Sequence, residues 1–114
     1  MAEILTVEQI NEKAAELELR EKCKIHQIVL EVNGEQIVGF VREPKRQTKL
    51  AAIDKFWAGE TTSACEDVLT SSLIEDSSDR RILSQSPEHD DIYISATMAC
   101  LPIVKLYTNA VKKN

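Results

Sequence analysis

The chain has 114 residues and a formal net charge of -5, which points to a single domain spanning residues 1–114 and argues against the basic balance that nucleic-acid binding requires. Apolar residues make up 43% of it, enough for a core and too many for wholesale disorder. No run approaches the roughly 18 uninterrupted apolar residues of a membrane span, so no membrane partner is expected.

Aromatic residues are scarce: Phe40, Phe56, Trp57, Tyr93 and Tyr107. The core must therefore be mostly aliphatic. The start, Met1-Ala2-Glu3-Ile4-Leu5, lacks the basic and apolar regions of a secretion signal. Cys23, Cys65 and Cys100 are odd in number and widely spaced, which fits reduced thiols in a cytoplasmic protein. Charge comes in blocks. Residues 1–21 and 60–91 are acidic, and residues 22–59 and 92–114 are basic. The plain reading is solvated faces that neutralise one another within the fold. A bipolar surface of this kind would also favour self-association.

Thr6-Val7-Glu8-Gln9 has the form of a capping box. Val7, Ile10, Ala14 and Leu17 follow at helical spacing and predict a helix over residues 7–20. Residues 24–32 are rich in β-branched types. Asn33-Gly34 then supplies the two positive-φ positions of a type I′ hairpin, with residues 35–42 returning. The register pairs Val32 with Glu35, Leu30 with Ile37, Ile28 with Gly39 and His26 with Val41. Ile28, Leu30, Val32, Ile37 and Val41 then share the core face. Gln27, Val29, Glu31, Gln36, Val38, Phe40 and Arg42 share the other. A two-stranded hairpin with two sticky faces is not stable alone, so a helix of the chain or a partner must cover each.

Pro44 ends the strand. A helix is predicted over residues 48–58 with Leu50, Ile53, Phe56 and Trp57 inward and Gly59 at its C′ position. Ser63-Ala64-Cys65-Glu66 is a second capping-box candidate, opening a helix to about residue 74. Residues 75–88 read as a long exposed loop, tacked down by Ile82 and Leu83. Ser86-Pro87 starts the last helix. Glu88, Asp90 and Asp91 suit its first turn, and Lys112 and Lys113 its end. Ile92, Ala96, Ala99, Ile103, Tyr107 and Ala110 form its apolar stripe, and Pro102 should kink it. The fold class is α+β: an antiparallel β-hairpin with about four helices, the C-terminal one long and kinked.

Chemistry is thin. His26 and His89 have no Cys or Ser at a recognisable catalytic spacing. Cys23-x-x-His26 is at best half a zinc site with no second pair to complete it. Glu88-His89-Asp90-Asp91 is what a helix dipole attracts. No glycine-rich phosphate loop exists. The expectation is a non-enzyme with no catalytic residue, cofactor or metal. Arg42, Lys45, Arg46 and Lys49 form one basic cluster, read as a solvated loop or a docking site for an acidic protein surface.

The hairpin closing on Arg42-Glu43-Pro44, the helix carrying Ala64 and Leu69, and Asp90-Asp91-Ile92 before Ser95-Ala96-Thr97-Met98-Ala99-Cys100 resemble the small tail assembly chaperones of long-tailed bacteriophages and prophages. The resemblance implies an acidic, non-enzymatic protein of the bacterial cytoplasm. Its client would be the long, apolar tape measure protein, which it keeps soluble while tail tube subunits are recruited. It also implies a longer, frameshifted product, for which Lys112-Lys113-Asn114 can be encoded by an adenine-rich run. The alternative class is a small acidic regulator or inhibitor that masks a host protein. The expected contact surface is the outer hairpin face, Val29, Val38 and Phe40, with the basic Arg42, Lys45 and Arg46.

Overall fold

The computed structural model describes residues 4–112, and the side-chain surroundings of residues 4–108. Helix α1 (Val7–Glu21) opens on the expected capping box. Gln9 N–H donates to Thr6 Oγ1 at 3.2 Å, and Thr6 N–H to Gln9 Oε1 at 2.8 Å. Lys22, in the left-handed region at φ 58°, closes it. Strands β1 (Ile25–Val32) and β2 (Glu35–Arg42) pair antiparallel in the expected register. Asn33 and Gly34 both take positive φ, 52° and 80°, as a type I′ turn demands.

The hairpin separates two cores. Ile28, Ile37 and Val41, with Leu30 and Val32 beside them, join the larger one. It also holds Ala64, Cys65, Val68 and Leu69 of α3 (Thr61–Ser72), with Ile92 and Ala96 of α4 (Asp90–Ala99) and Ile103 and Val104 of α5 (Leu101–Lys112). On the other face Ile25, Val38 and Phe40 meet Ile10, Ala14 and Leu17 of α1, with Ile74. This corrects the expectation that the outer hairpin face is open. Val38 is only 8% exposed and Phe40 1%. The three-residue link from Lys22 to Lys24 folds α1 back over them, because the helix must bury its own apolar stripe. Only Val29, at 50%, stays outside. Val7, expected inward, is exposed as well.

The stretch expected as a long exposed loop is partly structural. Its start seals the outer edge of β2. Ile74 N–H donates to the Phe40 carbonyl at 2.8 Å and Asp79 N–H to the Val38 carbonyl at 2.9 Å. Phe40 N–H donates to Ser78 Oγ at 3.0 Å, and Leu73 bridges Val41. Arg20 of α1 pairs with Asp76 at 3.0 Å. Ile82 is wholly buried in the larger core. These partners satisfy strand groups that burial would otherwise strand.

Helix α2 (Arg46–Trp57) begins two residues earlier than expected and is rotated from its expected setting. Ala52 is its buried residue, Ile53 and Phe56 are half-buried, and Leu50 and Trp57 face solvent. Gly59, at φ 84°, lets Glu60 N–H reach the Lys55 carbonyl and Gly59 N–H the Phe56 carbonyl, a Schellman ending. Helix α3 starts at Thr61 rather than Ser63, without a side-chain cap, so the second capping box does not form. Pro87 opens a short 3-10 turn, Pro87–His89, that runs into α4. Helices α4 and α5 meet at Cys100 as one rod bent by 23°. Pro102 has no N–H for the Met98 carbonyl, which accounts for the bend. Lys113 and Asn114, and the Ala110 side chain, lie outside the described residues. Among the described residues no helix is long and apolar enough to cross a membrane.

Candidate protein-binding surfaces

Two apolar depressions flank the hairpin, one at each edge. The first is a cleft of about 470 Å³ between α1 and the segment that seals β2. Leu5, Val38 and Phe40 give it apolar walls. Gln9, Lys13, Gln36, Ser77, Ser78 and Asp79 ring it. Gln36 is held at the mouth by paired bonds to the Leu5 backbone, at 2.8 and 3.0 Å. Val38 and Phe40 therefore line a recess and do not form an open face.

The second depression is a groove of about 340 Å³. One wall is Ile25, His26 and Gln27 of β1; the other is Ala99, Pro102, Ile103 and Leu106. No β2 residue lines it, so it lies along the outer edge of β1. Ile94, Met98 and Leu106 are 57%, 41% and 54% exposed, and Pro102 is exposed too. Positions 94, 98, 102 and 106 recur every four residues and so share one helix stripe. The sequence reading missed this stripe because it assigned the same helix one apolar face, through Ile92, Ala96 and Ile103. The spacing of four was the available signal.

The expected basic cluster is divided among acids. Arg42 Nε pairs with Glu21 Oε1 at 3.1 Å, and Lys49 Nζ with Glu43 Oε2 at 2.7 Å. Lys45 and Arg46, at the start of α2, are exposed. His26 Nε2 lies 2.8 Å from Glu43 Oε1, so Glu43 ties β1 to α2. Burial pushes the Glu43 carboxyl up, but hydrogen bonds from Lys49 and His26 outweigh it and hold it below the usual range. Lys49 also sits 5.2 Å from the Tyr107 ring centroid, a cation–π contact joining α2 to α5. Burial, with the Glu43 charge, pushes the Tyr107 phenol up. Its hydroxyl is buried and has no hydrogen-bond partner among the described residues. These contacts lock elements together; none sets a nucleophile against a base.

His89 Nδ1 is 2.7 Å from Ser84 Oγ, which gives it a structural role at the turn before α4. Among the described residues no group of three His, Cys, Asp or Glu side chains could hold a metal ion. No protein-family model matches the chain, and no curated protein or solved structure matches it.

Proposed function

We propose that the chain is a protein-binding domain that takes apolar side chains of a client into the cleft between α1 and the hairpin. In this reading it acts as a tail assembly chaperone of the kind it resembles, with the tape measure protein as client. The observation that carries the reading is the cleft itself: Leu5 and the uncovered edges of Val38 and Phe40 give it an apolar lining inside a polar rim. A recess of this size takes one or two large client side chains. Burying each fully is worth about 1.5–3 kcal/mol, before the ordering costs of association. An acidic exterior keeps the pair soluble.

Lys45 and Arg46 favour a second reading. They stand at a helix start whose dipole repels cations, and α2 has no acid in its first turn. An acidic patch on another protein would relieve that repulsion, as a masking regulator requires.

Co-expression with a long, apolar, helical tape measure protein tests both. The chain should move that client into the soluble fraction and copurify with it. Lys13→Trp, which plugs the cleft mouth, should abolish this while leaving the circular dichroism spectrum unchanged. Loss through Lys45→Glu/Arg46→Glu, with Lys13→Trp inert, would transfer the function to the masking reading. Equal client solubility with and without the chain would overturn the chaperone reading.

A further inference from the structure

The two edges of the hairpin are treated differently. The outer edge of β2 is sealed by residues 73–79. The outer edge of β1 is not. Its register places the backbone groups of Ile28 and Leu30 toward β2, and those of Gln27, Val29 and Glu31 outward. Among the described residues no backbone hydrogen bond outside the hairpin reaches those three. Of the usual protections of a free edge β1 carries only the exposed charge of Glu31: it has no proline, lysine or bulge between Ile25 and Val32.

We infer that this edge pairs with the β1 edge of a second copy, antiparallel about a two-fold axis at Val29, making a four-stranded sheet. Three features of the chain fit that occupant. The strand is self-complementary in this register: Val29 meets Val29 of the other copy, and Gln27 meets Glu31, so no like charges face each other. About six N–H···O=C bonds form between the outward groups. The groove sets Pro102 and Leu106 of the exposed helix row beside Ile25, His26 and Gln27 of β1. That row flanks the pairing strands with apolar surface. The charges also match. A two-fold axis makes the two rods antiparallel, which turns the exposed acids Glu88, Asp90 and Asp91 of one copy toward the Lys105 end of the other. The cleft at the opposite edge of the hairpin stays open, so this pairing is independent of the proposed client site.

Sedimentation or light scattering of the full chain provides the test. Wild type should run at twice the 12.8 kDa chain mass, and added salt should weaken the pairing. Val29→Pro removes only an outward N–H and keeps the β1–β2 ladder. It should yield a monomer at concentrations where wild type is dimeric, with an unchanged spectrum, while Val29→Thr stays dimeric. Hydrogen exchange on wild type supplies a readout that needs no variant. The amides of Gln27, Val29 and Glu31 should be slow at high concentration and fast on dilution, with Ile28 and Leu30 slow in both. A wild type that remains monomeric to about millimolar concentration, with those three amides always fast, would overturn the inference. So would a Val29→Pro dimer as tight as wild type.

Discussion

Ile82 lies directly against Gly39: its Cδ1 is 2.8 Å from the point a Cβ on Gly39 would occupy. The glycine sits in mid-strand, buried, between Val38 and Phe40. Its missing side chain makes room for the residue that anchors the 79–84 turns to the larger core. Gly39→Ala should therefore destabilise by about 1–3 kcal/mol through overpacking, although Gly→Ala in a strand would otherwise help. Ile82→Val removes the clashing methyl at a cost of about 0.5–1.5 kcal/mol. In denaturant titrations the double variant should be more stable than the two single losses sum to. Simple additivity would show that the two residues do not share the space.

Phe40 and Val29 belong to the same sheet face and separate the two readings of it. Phe40→Ala should cost about 3–5 kcal/mol, because the side chain is enclosed by α1 and Ile74. Val29→Ser, measured at low protein concentration, should stay within about 0.5 kcal/mol of wild type. Equal stability of the two variants would return Phe40 to the outside.

The contrast marks where sequence reading succeeds. The capping box at Thr6, the Asn33-Gly34 turn, the pairing register and the Gly59 ending are local signals, decided within a few residues by backbone geometry. All four stand in the structure. What covers Phe40 is not local. Alternation shows that two faces need partners, and it cannot tell α1 from another protein. The sealing of β2 by residues 73–79 has no periodic signature either, because it uses Ser78 and backbone groups. Helix α2 failed for a third reason: Leu50 and Trp57 are large and apolar but stand on the wet side, and hydrophobicity alone does not fix a helix rotation. Of the expected contact residues, Val29, Lys45 and Arg46 remain exposed, Val38 and Phe40 line a cleft, and Arg42 is paired with Glu21.

Glu43 should make stability depend on pH in acid. Its folded carboxyl is held below the ordinary value of 4.5 by Lys49 and His26 against the opposing effect of burial. A depressed carboxyl stabilises fully above its unfolded value, and that contribution is lost as pH falls through the lower folded value. Glu43→Gln should cost about 1 kcal/mol at pH 7, partial exposure weakening the charge-assisted bonds. The gap between wild type and variant should close as the pH is taken from 5 toward 3, followed by thermal melts. A gap that stays constant over that range would show that the Glu43 charge is not what ties β1 to α2.

The three thiols should react in two classes. Cys65 in α3 and Cys100 at the α4–α5 elbow are both wholly buried, whereas Cys23 is half-buried just before β1. Burial raises the Cys65 thiol, and burial together with the neighbouring Cys65 pushes Cys100 up to about 12. The reactive species is the thiolate, and at pH 8 a thiol of that kind holds roughly one part in ten thousand of it. A disulfide reagent at pH 8 should therefore titrate one thiol quickly in the native protein and all three in guanidinium. Cys23→Ser should abolish the fast phase. The slow phase should track global unfolding, since both remaining thiols lie in the core that joins α3 to the elbow. Three equally fast thiols in the native state would mean that this core opens far more readily than its packing implies.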